Sequence, residues 1–359
     1  MDIGIFGLTL SGKTTLFALL TDVETSNVHH NQPLYGVAEI FDARLEKLSR
    51  IYNPKKTTYT TLNFTDIPGF DLSINQKEKN KIFQEIQNAD SIVAVIRAFS
   101  NPTVPWPENL DSPVEQMNAV QSEFVIRDLD IVETRLKRLE EEKNKKGIDK
   151  KEQKEKKLLE KIKEHLENGN FVHQLDLDEH EKKIIGSLSL FTGKPIVFAV
   201  NLDEEQIKNE YYEGKNEIIT ECENNGFAYT EFSGKIEQEL KELDDEERKL
   251  FMDDLGIKES GIKRFSRVVY NFVGLISFFT VSEDEVKAWT IRKGATAIAA
   301  AAKVHTDLAK HFIKAEIVHF EDFINAGNMA EAKKEGLVKL AGKDEVIHDG
   351  DILYIKANA

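Results

Sequence analysis

Lys13 and Thr14 sit at a spacing that can hold phosphate: Gly7, four residues, then Gly12-Lys13-Thr14, within "GLTLSGKTT". A glycine-rich turn lets the backbone wrap an anion with its N–H groups pointing inward. A helix that starts at the lysine adds partial positive charge. The pattern assigns Leu10, Ser11, Gly12, Lys13, Thr14 and Thr15 to the phosphates of a nucleotide. Lys13 would face the β- and γ-phosphates, and the Thr14 hydroxyl would ligate Mg²⁺. "FTDIPGF" supplies the complement, with Asp66 reaching Mg²⁺ through water and Gly69 reaching the γ-phosphate through its N–H. Lys13, Asp66 and Gly69 are the expected catalytic set, and Thr14 and Asp66 the expected metal set.

The base should lie near "PIVFAVNLDEE". A guanine-reading site has Asn-Lys-x-Asp there, whose Asp accepts from the adjacent N1–H and N2–H₂ donors of guanine. Here the run is Asn201-Leu202-Asp203-Glu204. Leucine replaces the lysine, and the acid of Glu204 is one methylene longer and would crowd the guanine edge. Adenine offers one donor, N6–H₂, and the acceptors N1 and N7, an edge that the Asn201 amide can serve with both its oxygen and its nitrogen. ATP binding at least about tenfold tighter than GTP binding is expected, a difference of about 1.4 kcal/mol. A GTPase with a drifted base site stays open as an alternative. So does a ribosome- or RNA-binding adaptor that uses nucleotide only as an effector.

The elements that must position these residues alternate strand and helix. Residues 2–6, 61–65, 91–96 and 196–200 read as strands, and 14–20 as a helix start, which implies a mostly parallel sheet covered on both faces. Between the last two strands, Val125, Leu129, Val132, Leu136 and Leu139 are spaced as an a/d seam. A polar turn at 146–149 follows, then Leu158, Leu159, Ile162 and Leu166. The pattern predicts an inserted antiparallel helical coiled coil. Its tip, Glu141 to Lys163, holds ten lysines and six acids, a local +4 on an otherwise acidic chain. Clustered lysines of this kind can release counterions from RNA phosphates. The last segment predicts strands at 278–281, 288–291 and 351–355, with a helix at 296–312, a small α+β domain. The expected division is 1–110 with 190–275 for the nucleotide domain, 111–189 for the coiled coil and 276–359 for the C-terminal domain.

These motifs, with "DARLEKLSRIYNPKK", "FSGKIEQELKELDDEE", "DDLGIKESGIKR" and "GKDEVIHDGDILYIK", resemble the YchF or Obg-like ATPase family of P-loop NTPases over nearly the whole chain. The resemblance implies an α/β P-loop domain, the inserted coiled coil and a C-terminal TGS domain of β-grasp type. It also implies ATP preference, association with ribosomes, a base contact from the Leu202 backbone, and Ser233, Gly234 and Lys235 closing the pocket. A further implication is a mechanism without the usual water-orienting glutamine, because Phe70 occupies that position and an apolar ring cannot polarise water.

Departures from the family pattern are specific. Thr9-Leu10 replaces Pro-Asn in the phosphate loop, and Thr14 replaces Ser. "HHNQPLYG", residues 29–36, has no threonine to complete the Mg²⁺ shell, and the segment after "IRAF" lacks a histidine common in the family. The water-positioning residue is therefore left unassigned. His29 and His30 read as surface residues of that loop, not as metal ligands. Trp106 and Trp289 read as packing residues.

A formal charge of −15 argues against a general nucleic-acid coat, and no DNA partner is expected. Cys222 is the one cysteine, which excludes an intrachain disulfide and suits a reducing compartment. No apolar run reaches the roughly 18 residues that span a bilayer. The N-terminus lacks a basic region before its apolar stretch, so neither a membrane partner nor a signal peptide is expected. The cytoplasm is the expected location.

Overall fold

Residues 1–25, 32–71, 74–107, 110–146 and 149–358 are described by the computed structural model. They include two six-stranded sheets. In the first, β1 (Asp2–Phe6) lies between β4 (Thr60–Asp66) and β5 (Ser91–Arg97), parallel to both. β6 (Ile196–Asn201) and β7 (Ala228–Phe232) extend it in parallel beyond β5, and β2 (Leu34–Ile40) flanks β4. β5 and β6 are buried at every position, which is why they read as continuous apolar runs and not as alternating ones. Register brings Ile5 opposite Asp66 and Arg97 opposite Asn201. The carboxyl ends of β1, β4, β5 and β6 thus meet along one edge, where open α/β sheets bind ligands.

α1 (Lys13–Thr21) follows β1, and α3 (Gln76–Gln87) follows the loop after β4. The inserted hairpin is α4 (Pro113–Lys146) and α5 (Lys150–Glu167). Val132 and Leu139 are fully buried against Leu158, Leu159, Ile162 and Leu166, with Val125, Leu129 and Leu136 partly buried beside them, as the heptad spacing predicts. Asp149 caps α5 in a reciprocal pair with Glu152. Residues 147 and 148 of the expected turn lie outside the described residues. At the root of the hairpin the buried Asp128 carboxylate accepts from Phe191 N, Thr192 N and Thr192 Oγ1 at 2.9, 2.8 and 2.5 Å. Burial pushes its carboxyl up to about 6, against the pull of those hydrogen bonds. Cys222 is buried in the core beneath this sheet, and burial pushes its thiol up to about 12.

Packing divides the chain into two compact units, Met1–Val37 with Asn63–Phe265, and Ala38–Leu62 with Ser266–Ala359. The second unit includes residues 38–62, which the sequence reading placed with the nucleotide domain. Two features explain the difference. β3 (Lys56–Thr58) pairs in parallel with β9 (Glu285–Arg292), and α2 (Ala43–Tyr52) buries Leu45 and Leu48 against Phe279, Val286 and Ile352. That sheet runs β11-β10-β12-β8-β9-β3, where β8 is Leu275–Val281, β10 Phe312–His319, β11 Lys339–Ala341 and β12 Asp351–Ala357. The helix expected over 296–312 is instead two, Ala297–Val304 and Thr306–Lys310, because His305 adopts an extended conformation and caps the second. Among the described residues no helix is long and apolar enough to cross a membrane.

Candidate functional site

The chain between β1 and α1 turns through left-handed backbone at Leu10 (φ 60°) and Gly12 (φ 95°). Gly12 has to lack a side chain for a second reason: a Cβ there would stand 2.2 Å from Asn201 Nδ2. α1 begins at Lys13, which is buried and donates from Nζ to Leu8 O at 2.7 Å. Burial lowers its pKa to about 8, opposed by the nearby charge of Asp66. Thr14 Oγ1 donates to Asp66 Oδ2 at 2.7 Å. Gly69 closes the group, since a Cβ on it would fall 2.8 Å from Lys13 Nζ and 3.0 Å from Thr9 Cα. Thr9 N donates to Phe70 O and Phe70 N to Gly7 O, so the two loops are laced together. Lys13, Thr14, Asp66 and Gly69 are therefore neighbours, as their spacing predicts. A hydroxyl and a carboxylate at 2.7 Å beside a backbone cradle form a hard-oxygen donor set that suits Mg²⁺ and phosphate.

Phe70 points away from this group. It is fully buried, stacks on Phe6 at 4.9 Å and meets Phe83 of α3 edge-on. Ser11 Oγ is also buried and has no hydrogen-bond partner among the described residues.

A cavity of about 670 Å³ opens from these loops toward β6, within the size range of ligand sites. Its base-side wall differs from the sequence reading at Asn201 and at Glu204. The Asn201 amide is already engaged on both atoms, so neither is wholly available to a base: Nδ2 donates to Ser11 O at 3.1 Å and Oδ1 accepts from Gly234 N at 3.0 Å. It ties the phosphate loop to the segment after β7, leaving one N–H and one lone pair. Leu202 is buried and its N–H donates to Phe232 O, so a base contact from this backbone would come from its carbonyl. Glu204 does not line the cavity; it opens a short helix, Glu204–Lys208, and its carboxylate pairs with Lys208 at 2.9 Å. Asp203 lines the wall instead, and both its oxygens are engaged, Oδ1 by Gln206 N and Oδ2 by Ser100 N.

Of the three residues expected to close the pocket, Gly234 and the exposed Lys235 line the cavity, whereas Ser233 does not and instead caps the helix Gly234–Glu242. Phe99, Ser100, Asn101 and Val104 also line it, and the sequence reading did not assign them. The available signal was position, since they directly follow the carboxyl end of a central parallel strand. Gln32 and Leu34 contribute from the "HHNQPLYG" segment, whereas His29 and His30 lie outside the described residues. Trp106 and Trp289 pack as expected, Trp106 against Arg97 and Trp289 against Phe278. Among the described residues no cluster of His, Cys, Asp and Glu is arranged to hold a metal by itself.

The chain is similar to known proteins over nearly its whole length. A family described as 50S ribosome-binding GTPase matches residues 2–135, and the YchF GTPase C-terminal family, described as of unknown function, matches residues 275–358. The ribosome-binding ATPase YchF of Bacillus subtilis is 34% identical, with 99% of this chain and 98% of the relative covered. The ribosome-binding ATPase YchF of Haemophilus influenzae is 36% identical over the same shares. The solved structure of the Schizosaccharomyces pombe YchF GTPase superposes with a TM-score of 0.86 at 27% identity, covering 99% of this chain and 97% of that one. Full-length identity at this level, on a P-loop site assembled from the expected residues, identifies the chain as a member of the YchF family.

Proposed function

We propose that this chain binds ATP with Mg²⁺ and hydrolyses it as a switch acting on ribosomes in the cytoplasm. The observation that carries the reading is the Thr14–Asp66 contact at 2.7 Å beside a buried Lys13. Lys13 would face the transferring phosphoryl group, with Gly69 N–H at the γ-phosphate and the 9–15 backbone around the rest. Mg²⁺, held by Thr14 and through water by Asp66, would supply neutralisation of phosphate charge. Phe70 is packed in the core, so the water-orienting group must come from elsewhere, and slow or partner-stimulated turnover follows.

The base side supports adenine for a reason the sequence did not suggest. The acid at the guanine-reading position, Glu204, is turned to Lys208 and does not line the cavity, so it is not offered to guanine N1–H and N2–H₂, and each oxygen of Asp203 already accepts an N–H. A Leu202 carbonyl suits the N6–H₂ donor of adenine and repels guanine O6. Sites read by such patterns discriminate strongly, because the wrong base leaves buried groups unpaired. The ribosome enters through the descriptions of the relatives and the lysine-rich hairpin tip. Calorimetric titration tests the reading: ATP should bind at least about tenfold more tightly than GTP. The second reading, GTP hydrolysis, is favoured by the GTPase descriptions of the N-terminal family and of the solved relative. Equal affinity or a GTP preference would sink the adenine assignment and restore this second reading.

A further inference from the structure

We propose that Arg97 is a positioning residue for the base side of the cavity, holding the 98–106 loop from behind so that its front presents a preformed surface to the nucleotide. The inference rests on ATP being the ligand of this cavity. Arg97 ends β5 and is fully buried. Its guanidinium donates to three carbonyls of the loop that follows: Nε to Phe99 O at 3.2 Å, Nη1 to Pro105 O at 2.7 Å and Nη2 to Val104 O at 2.9 Å. The same plane lies between the rings of Phe99 and Trp106, 4.5 and 4.6 Å from their centroids. Among the described residues no carboxylate forms an ion pair with Arg97. A cation buried without a carboxylate is expensive, and here its donors go instead to a loop whose Phe99, Asn101 and Val104 line the cavity.

The strand end is fixed from other directions too. Gln116 of α4 brackets the Arg97 backbone, accepting from its N and donating to its O at 3.1 Å each. Asp203 accepts from Ser100 N, and Gln206 Nε2 donates to Ala98 O at 2.9 Å. The planar fork is what the site needs, because it meets three acceptors while stacking on two rings, and a lysine ammonium cannot do both.

A loop held in its binding-competent form only a fraction of the time raises the apparent Kd by the reciprocal of that fraction. Arg97→Lys should therefore raise the Kd for ATP about tenfold and move the ATP-to-GTP preference toward unity, while kcat at saturating ATP changes little. Trp106→Leu removes one stacking face from a half-buried site, leaves the fold intact and should raise Kd about threefold. In a Trp289→Phe background, Trp106 emission should change on ATP addition. Circular dichroism first establishes that each variant is folded; if Arg97→Lys is not, Trp106→Leu and the emission change decide. ATP binding by both folded variants with wild-type affinity and base preference would overturn the proposal while leaving the ATP reading intact. A wild-type protein that binds no ATP removes that reading, and this inference with it.

Discussion

Lys13 is a cation held in reserve. Its Nζ donates to the Leu8 carbonyl, and burial keeps its pKa near 8, below the ordinary lysine range. The folded value lies below the unfolded one, so burial of the charged form opposes folding below about pH 8. That penalty fades as pH rises from there toward the unfolded value. Phosphate anions arriving at Nζ must raise the pKa again. ATP binding near pH 8.5 is therefore expected to take up a proton, read as a dependence of the calorimetric enthalpy on buffer ionisation. An enthalpy independent of buffer would show that Lys13 does not meet the phosphates. Lys13→Ala should lower phosphate release by at least about 10²-fold, since one preorganised electrostatic group often contributes that much. Normal turnover by that variant would exclude this loop as the active site. The phosphate side was legible because its geometry follows from local spacing, a strand, a glycine turn and a helix in register. The base side was not. Asn201 finds its partners Ser11 and Gly234 at separations of 190 and 33 positions, so the engagement of its amide follows from the tertiary fold and not from local spacing.

The inserted hairpin shows the same division between local and distant causes. Its helices were readable because valines and leucines at alternating spacings of four and three need a partner seam. The anchor at its root was not readable, because Asp128 reaches Phe191 and Thr192 across the insertion. Its carboxyl titrates near 6 in the folded chain, above the unfolded range of about 4. The sign is opposite to that of a salt-bridged aspartate. Stability from this group is present below about pH 4 and is lost as pH rises through about 6, amounting to roughly 3 kcal/mol at most. Asp128→Asn should remove that component from a plot of thermal midpoint against pH. It should also destabilise at neutral pH by about 1–3 kcal/mol, because one of the converging N–H groups then faces an amide nitrogen. An unaltered pH profile would show that Asp128 does not titrate in this range. β3 was illegible for a simpler reason: "KTT" carries no periodicity, and its pairing with β9 was set by a partner far along the chain.

Across the whole molecule, charge and division into units matter more than any single contact. A chain of net charge −15 approaches a polyanion only through a locally positive surface. Lys143, Lys150, Lys151, Lys154 and Lys157 are exposed at the hairpin tip, while Lys156 is paired with Glu140 and Glu160. Changing the lysines from Lys143 to Lys157 to glutamine should weaken ribosome co-sedimentation and flatten its dependence on salt, since fewer counterions are released. Unchanged sedimentation would assign the contact to another surface. The grouping of residues 38–62 with the C-terminal unit had no compositional signal, because it depends on which sheet claims a short strand. The buried Cys222 has a practical consequence at this scale. The chain has one thiol, sealed in the core of the nucleotide-binding unit and held protonated far above neutral pH. A thiol reagent added to the native protein can modify it only in molecules whose core has transiently opened. The chain thus carries its own clock for opening, and saturating nucleotide should slow that clock in proportion to how tightly it binds.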